Sequence, residues 1–89
     1  MKLEQIVITN KLGLHARAAA KLVQLSNQFH SDIRLEKDGQ TADAKSIMDV
    51  LMLTGTKDSE LTVSVEGKDE DTALKEVVRL FQDKFGEGE

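Results

Sequence analysis

Gln5-Ile-Val-Ile-Thr-Asn-Lys-Leu-Gly-Leu-His-Ala-Arg17 carries a strand into a helix across one short turn. Ile6 and Ile8 alternate with Val7 and Thr9, which predicts a strand over Gln5 to Thr9 with one buried face. Asn10, Lys11 and Gly13 supply the turn, and from Ala16 to about Phe29 the chain lacks glycine and is rich in helix formers. His15 falls on the boundary. There the first amide N–H groups of a helix have no intrahelical partner and point outward. Those donors, the positive end of the helix dipole and the Arg17 guanidinium converge on one anion. Taken singly, His15 and Arg17 are ordinary surface residues. At a helix start they predict a neutral imidazole nucleophile that takes up a phosphoryl group, with the same donors stabilising the product.

Ala19, Leu22, Val23, Ser26 and Phe29 share one stripe of the first helix. Ile33 and Leu35 alternate with Asp32, Arg34 and Glu36 in a second strand, and Asp38-Gly39 has the positive-φ residues of a tight hairpin. A short third strand, about Gln40 to Asp43, follows. Ser46-Ile-Met-Asp49 reads as a capping box opening a helix through Leu51 or Leu53, and Gly55 breaks it. Glu60 to Glu66 is the clearest strand, with Leu61, Val63 and Val65 on one face. After Gly67, the acidic run Asp69 to Asp71 suits the start of a final helix whose stripe is Leu74, Val77, Val78, Phe81 and Phe85, closed by Gly86. The order is βαββαβα. With one apolar face per strand and one stripe per long helix, the economical packing is a two-layer α+β sandwich, with all helices on one side of a single sheet.

Length and composition narrow the function. The 89 residues suffice for a single domain spanning 1–89. There is no cysteine, so no disulfide or thiolate metal site is expected, and His15 and His30 have no metal-ligand spacing. His30 reads as surface. No apolar run reaches a membrane-span length and no signal pattern opens the chain, so a cytoplasmic location without membrane insertion is expected. A net charge of −4, with three Phe and no Tyr or Trp, argues against nucleic acid. Acidic residues gather at Glu66 to Asp71 and Glu87 to Glu89, a solvated face and tail, while the His15–Arg17 region is locally basic and suits an acidic protein partner. Ile47, Met48, Leu51 and Met52 exceed what one short helix buries, which predicts an exposed partner patch. Ser46 is first of all a helix cap, at a position where phosphoserine is also well tolerated. With no general base, metal site or pocket evident, the chain reads as a relay that is phosphorylated and dephosphorylated, needing no cofactor. The competing reading is a regulatory module acting through Ser46 and the Ile47–Met52 surface.

Ile8-Thr-Asn-Lys-Leu-Gly-Leu-His-Ala-Arg-Ala-Ala19 resembles the active-site signature of the HPr family, the histidine-containing phosphocarriers of the bacterial phosphotransferase system. Ala44-Lys-Ser-Ile-Met48 resembles that family's second signature, and Ile8 to Gly13 also looks like its nitrogen-related branch. The resemblance implies an open-faced sandwich, a four-stranded antiparallel sheet covered by three helices. It implies that His15 accepts phosphate on Nδ1 from enzyme I, charged by phosphoenolpyruvate, and passes it to an enzyme IIA domain. Arg17 would then stabilise the phosphate, and Ser46 would be the site of an HPr kinase/phosphorylase. Ala16, Ala20, Ile47, Met48, Leu51 and Met52 would form the partner surface of a monomer. The family usually has proline after the arginine, where this chain has Ala18. A proline there rigidifies the first turn at little cost, so Ala18 is expected to leave the fold intact and the turn less preorganised.

Overall fold

The computed structural model describes residues 1–88. Its elements are β1 (Lys2–Val7), α1 (Ala16–Ser26), β2 (Asp32–Lys37), β3 (Gln40–Asp43), α2 (Ile47–Met52), β4 (Glu60–Glu66) and α3 (Glu70–Gln82), followed by a 3₁₀ turn at Lys84–Gly86. The strands form one antiparallel sheet in the order β1-β4-β2-β3. β4 is central, with Val63 opposite Glu4 on one side and Leu35 on the other. One sheet face carries Ile6, Ile33, Leu35, Leu61, Val63 and Val65, all buried beneath Ala19, Leu22, Val50, Val77 and Phe81 from the three helices. Leu3 and Val7 lie exposed on the opposite face, so the sandwich is open on that side. No helix among the described residues is long and apolar enough to cross a membrane.

The tight turn forms as the sequence requires, with Asp38 and Gly39 at φ of 51° and 85°. Several boundaries move. β1 starts at Lys2, three residues before the alternation becomes visible, because its first residues are paired through backbone with β4 while their side chains stay exposed. α1 ends at Ser26 rather than near Phe29. The N–H groups of Gln28 and Phe29 bond back three residues, to Leu25 and Ser26, which tightens the chain out of the helix. α3 ends at Gln82, so Phe85 does not continue its stripe. Lys84 and Phe85 instead adopt positive φ, and Phe85 turns back into the core, 4.9 Å from Phe81 in an edge-to-face contact.

The acidic start of α3 behaves differently from a simple dipole partner. Asp69 is the N-cap residue, yet its carboxylate leaves the helix and accepts from the backbone N–H groups of His30 and Ser31 and from the Ser31 hydroxyl. Glu70 Oε1 takes the Gly67 N–H instead. The Ser31 hydroxyl and the His30 amide hold the Asp69 carboxyl down from the usual 3.8 to about 2, against the opposing effect of burial. A carboxyl depressed in the folded state contributes stability above its unfolded pKa that is lost as pH falls through the folded one. Asp69 therefore stabilises the α1–β2 junction at neutral pH and ceases to do so between about pH 4 and about pH 2. Asp69→Asn is expected to lower Tm at pH 7 and to flatten the acid limb of stability over that window. Urea midpoints measured from pH 7 to pH 2 check this.

Candidate functional site

The loop between β1 and α1 is fixed at several points. Ile8, already past the last β1 residue, still exchanges backbone bonds with Asp58 and Ser59, and its side chain is buried. Asn10 is also buried, and its Nδ2 donates to the Gly13 carbonyl at 2.8 Å, closing the turn from inside. Gly13 has φ +65°, and a Cβ there would lie 2.3 Å from the Gly55 carbonyl oxygen, so this turn admits only glycine. Leu14 N–H then bonds that same carbonyl at 2.8 Å. The glycine that breaks the chain after α2 thus also anchors the residue before His15.

His15 follows as the N-cap of α1, in extended geometry with φ −78° and ψ 179°, and its carbonyl accepts the first helical bond from Ala19 N–H. Its side chain makes no capping bond and the first turn of α1 contains no acidic residue. The amides that open α1 therefore have no capping side chain and no carboxylate from their own turn, which leaves them free to donate to an anion. Ala18 is buried within that turn, and the helix starts at Ala16 without the help of a proline. Arg17 is exposed, one turn residue beyond Ala16. His15 is a quarter exposed.

One partner of the histidine was not read from the sequence. Glu87 folds back from beyond the C-terminal 3₁₀ turn, and its Oε2 accepts from His15 Nε2. Its other oxygen accepts from Asn10 Nδ2 at 3.1 Å. The expectation of a solvated acidic tail is therefore corrected at Glu87, whose side chain is only 10% exposed. Burial raises the Glu87 carboxyl, but the hydrogen bonds from His15 and Asn10 and the positive charge of Arg17, joined by that of the His15 ring when it is protonated, outweigh it, and the net direction is downward. Glu87 is ionised at neutral pH.

The second set of candidates lies on α2. Ser46 caps it, accepting from Asp49 N–H at 3.3 Å. Only half of the expected capping box forms, because Asp49 turns its carboxylate to the backbone N–H of Asp43 at 3.2 Å. Val50 faces the core, while Ile47, Met48 and Met52 are exposed and Leu51 is half-buried. On α1, Ala16 is exposed and Ala20 half-buried. α1 and α2 pack against one another, which brings the two groups onto adjoining helices. His30 is exposed in the turn after α1.

The strand order and the three helices on one sheet face define a small α+β open-faced sandwich, with a histidine at the uncapped start of its first helix. The family described as the PTS HPr component phosphorylation site matches residues 3–83. The phosphocarrier protein HPr of Cupriavidus necator is 48% identical over 82 residues, 92% of each chain. That of Xylella fastidiosa is 43% identical over 83 residues, 93% of each chain. Among solved structures, HPr-C-His from Thermoanaerobacter tengcongensis superposes with a TM-score of 0.95 at 46% identity, covering 98% of both chains. The Bacillus anthracis HPr does so with 0.88 at 41% identity, covering 91% of this chain and 96% of that one. The chain belongs to the HPr family, and its role is that of a phosphocarrier of the phosphotransferase system. The expected monomeric state is not a property of every relative, since an HPr dimer from Thermoanaerobacter tengcongensis is also similar, at 46% identity and a TM-score of 0.79, covering 98% of this chain and all of that one.

Proposed function

We propose that His15 is the phosphoryl acceptor, taking the group on Nδ1 from enzyme I in the cytoplasm and passing it to an enzyme IIA domain. The observation that carries this reading is the place of His15 at a helix start with no capping side chain, no acidic residue in the first turn, and Arg17 two positions on. The Nδ1 lone pair forms the bond to phosphorus while the donor's bond to phosphorus breaks and its electron pair leaves with the donor. The amides of α1 and the Arg17 fork then hold the phosphoryl oxygens. Ala16, Ala20, Ile47, Met48, Leu51 and Met52 form the surface on which these partners dock, with methionines adapting to more than one of them. Incubation of the protein with enzyme I and phosphoenolpyruvate tests the reading. It is expected to add one phosphoryl group, lost in mild acid and retained in His30→Ala. A protein that gains no acid-labile group would refute it.

Ser46 belongs to this reading as the site at which an HPr kinase/phosphorylase would control docking. About two negative charges at the start of α2 are welcome to the helix dipole and unwelcome beside an acidic partner. Ser46→Asp is expected to stay folded and to raise the KM for phosphorylation by enzyme I about tenfold, roughly 1.4 kcal/mol, with the defect shrinking as salt is added. Steady-state rates at low and high ionic strength measure this, and an unchanged KM at low salt would leave Ser46 as a helix cap.

A further inference from the structure

The C-terminal turn is built to deliver one carboxylate to the histidine. Phe85, buried against Phe81, anchors the turn in the core, and Lys21 Nζ on α1 donates to the Phe85 carbonyl at 2.6 Å. Two non-glycine residues, Lys84 and Phe85, hold positive φ, followed by Gly86 at +74°. L-residues rarely adopt that region, and a run of them persists where the surrounding contacts impose it. Beyond the turn, Glu87 spans two partners, the buried Asn10 through Oε1 and His15 Nε2 through Oε2. Asn10 is in turn locked to Gly13, in the loop that aims His15. Asn10, Glu87 and His15 thus form a chain of three side chains in which Asn10 holds Glu87 and Glu87 orients His15.

We propose that Glu87 is a positioning residue for phosphoryl transfer: by accepting the Nε2–H of His15 it leaves Nδ1 as the open nitrogen, and it balances the positive charge the ring acquires on phosphorylation. The proposal rests on the reading of His15 as the acceptor. A neutral ring with its proton on Nε2 has its lone pair on Nδ1. When that pair bonds to phosphorus, the Nε2 proton stays in place and the ring becomes a phosphorylated imidazolium beside the Glu87 carboxylate. On onward transfer the N–P electron pair returns to Nδ1 and the ring leaves as the neutral imidazole it was. No proton moves in either direction. A carboxylate on the ring's far nitrogen keeps the phosphorylated ring in its protonated, transfer-competent form. The groups acting on Glu87 are the Arg17 guanidinium from α1 and the His15 ring, charged once it is an imidazolium; Asn10, from the loop, is neutral.

Two measurements on the full chain test this. In the unphosphorylated protein, NMR of histidine labelled with ¹⁵N is expected to show the His15 Nε2-bound proton protected, exchanging with water roughly tenfold faster in Glu87→Ala. In the phosphorylated protein, Glu87→Gln keeps the shape and removes the charge. The alkaline limb of its onward-transfer profile is expected to move down by about one pH unit, through kcat with KM unchanged, and Glu87→Asp should restore part of it. Unchanged proton exchange together with an unchanged pH profile would overturn the proposal. So would faster phosphorylation of Glu87→Gln across the whole pH range, which would make Glu87 a plug rather than a support. The exchange measurement reads the ring without any phosphoryl group, so its failure is distinct from the failure of the acceptor reading, which His15→Ala reports.

Discussion

Replacing His15 by Ala is expected to abolish acid-labile phosphorylation by enzyme I and phosphoenolpyruvate, lowering its rate by about a thousandfold or more. No neighbouring group substitutes for the lost nucleophile. His30, the only other histidine, is exposed in the turn after α1 and has the helix behind it rather than ahead of it. The fold should survive, because the structural part His15 plays is made by its backbone. Its carbonyl accepts from Ala19 N–H, and its side chain makes no capping bond. Only Glu87 loses a partner. Circular dichroism and Tm alongside the transfer assay separate loss of chemistry from loss of structure, and label retained in the variant would remove the acceptor role from His15.

Arg17→Ala is expected to slow transfer by roughly tenfold to a thousandfold, the size of about 1.4–4 kcal/mol of transition-state stabilisation. Arg17 is exposed at the start of α1 and forms no ion pair within 4 Å among the described residues, so the substitution removes little from the fold. Its guanidinium already acts on this region, since it is one of the charges that lower the Glu87 carboxyl. Arg17→Lys should recover only part of the rate, because a point charge cannot hold two phosphoryl oxygens in one plane. The effect should fall on kcat/KM with enzyme I as donor and with enzyme IIA as acceptor alike. Wild-type rates in Arg17→Ala would reduce it to a solvated helix residue.

What was legible in the sequence is what local pattern records. Alternation marked β2 and β4, Asp38-Gly39 marked the hairpin, and Ser46 marked the start of α2, all at the positions the structure assigns them. The place of His15 at a helix start was legible because a strand, a glycine turn and a helix meet there within a few residues. β1 was read short because its first residues expose their side chains, so backbone pairing left no alternation to see. Phe81 and Phe85 have helical spacing whether the helix continues or turns back, and nothing in Asp83-Lys-Phe85 announces positive φ at non-glycine residues. Glu87 was the largest omission. Its contact with His15 joins residues 72 apart, and an acidic residue near the end of an acidic chain carries no local sign that it is buried. Asn10 offered the one available hint, as an amide beside the turn with more hydrogen-bonding capacity than the turn alone uses.

Phosphoryl transfer through this protein turns on whether His15 carries the group on Nδ1. The most direct measurement is the ¹⁵N and ³¹P NMR spectrum of protein with labelled histidines, phosphorylated by enzyme I and phosphoenolpyruvate. Phosphorus bonded to Nδ1 of His15, a proton retained on Nε2 and an unaltered His30 are expected. Phosphorus on Nε2 of His15, on His30 or on a hydroxyl oxygen would contradict it.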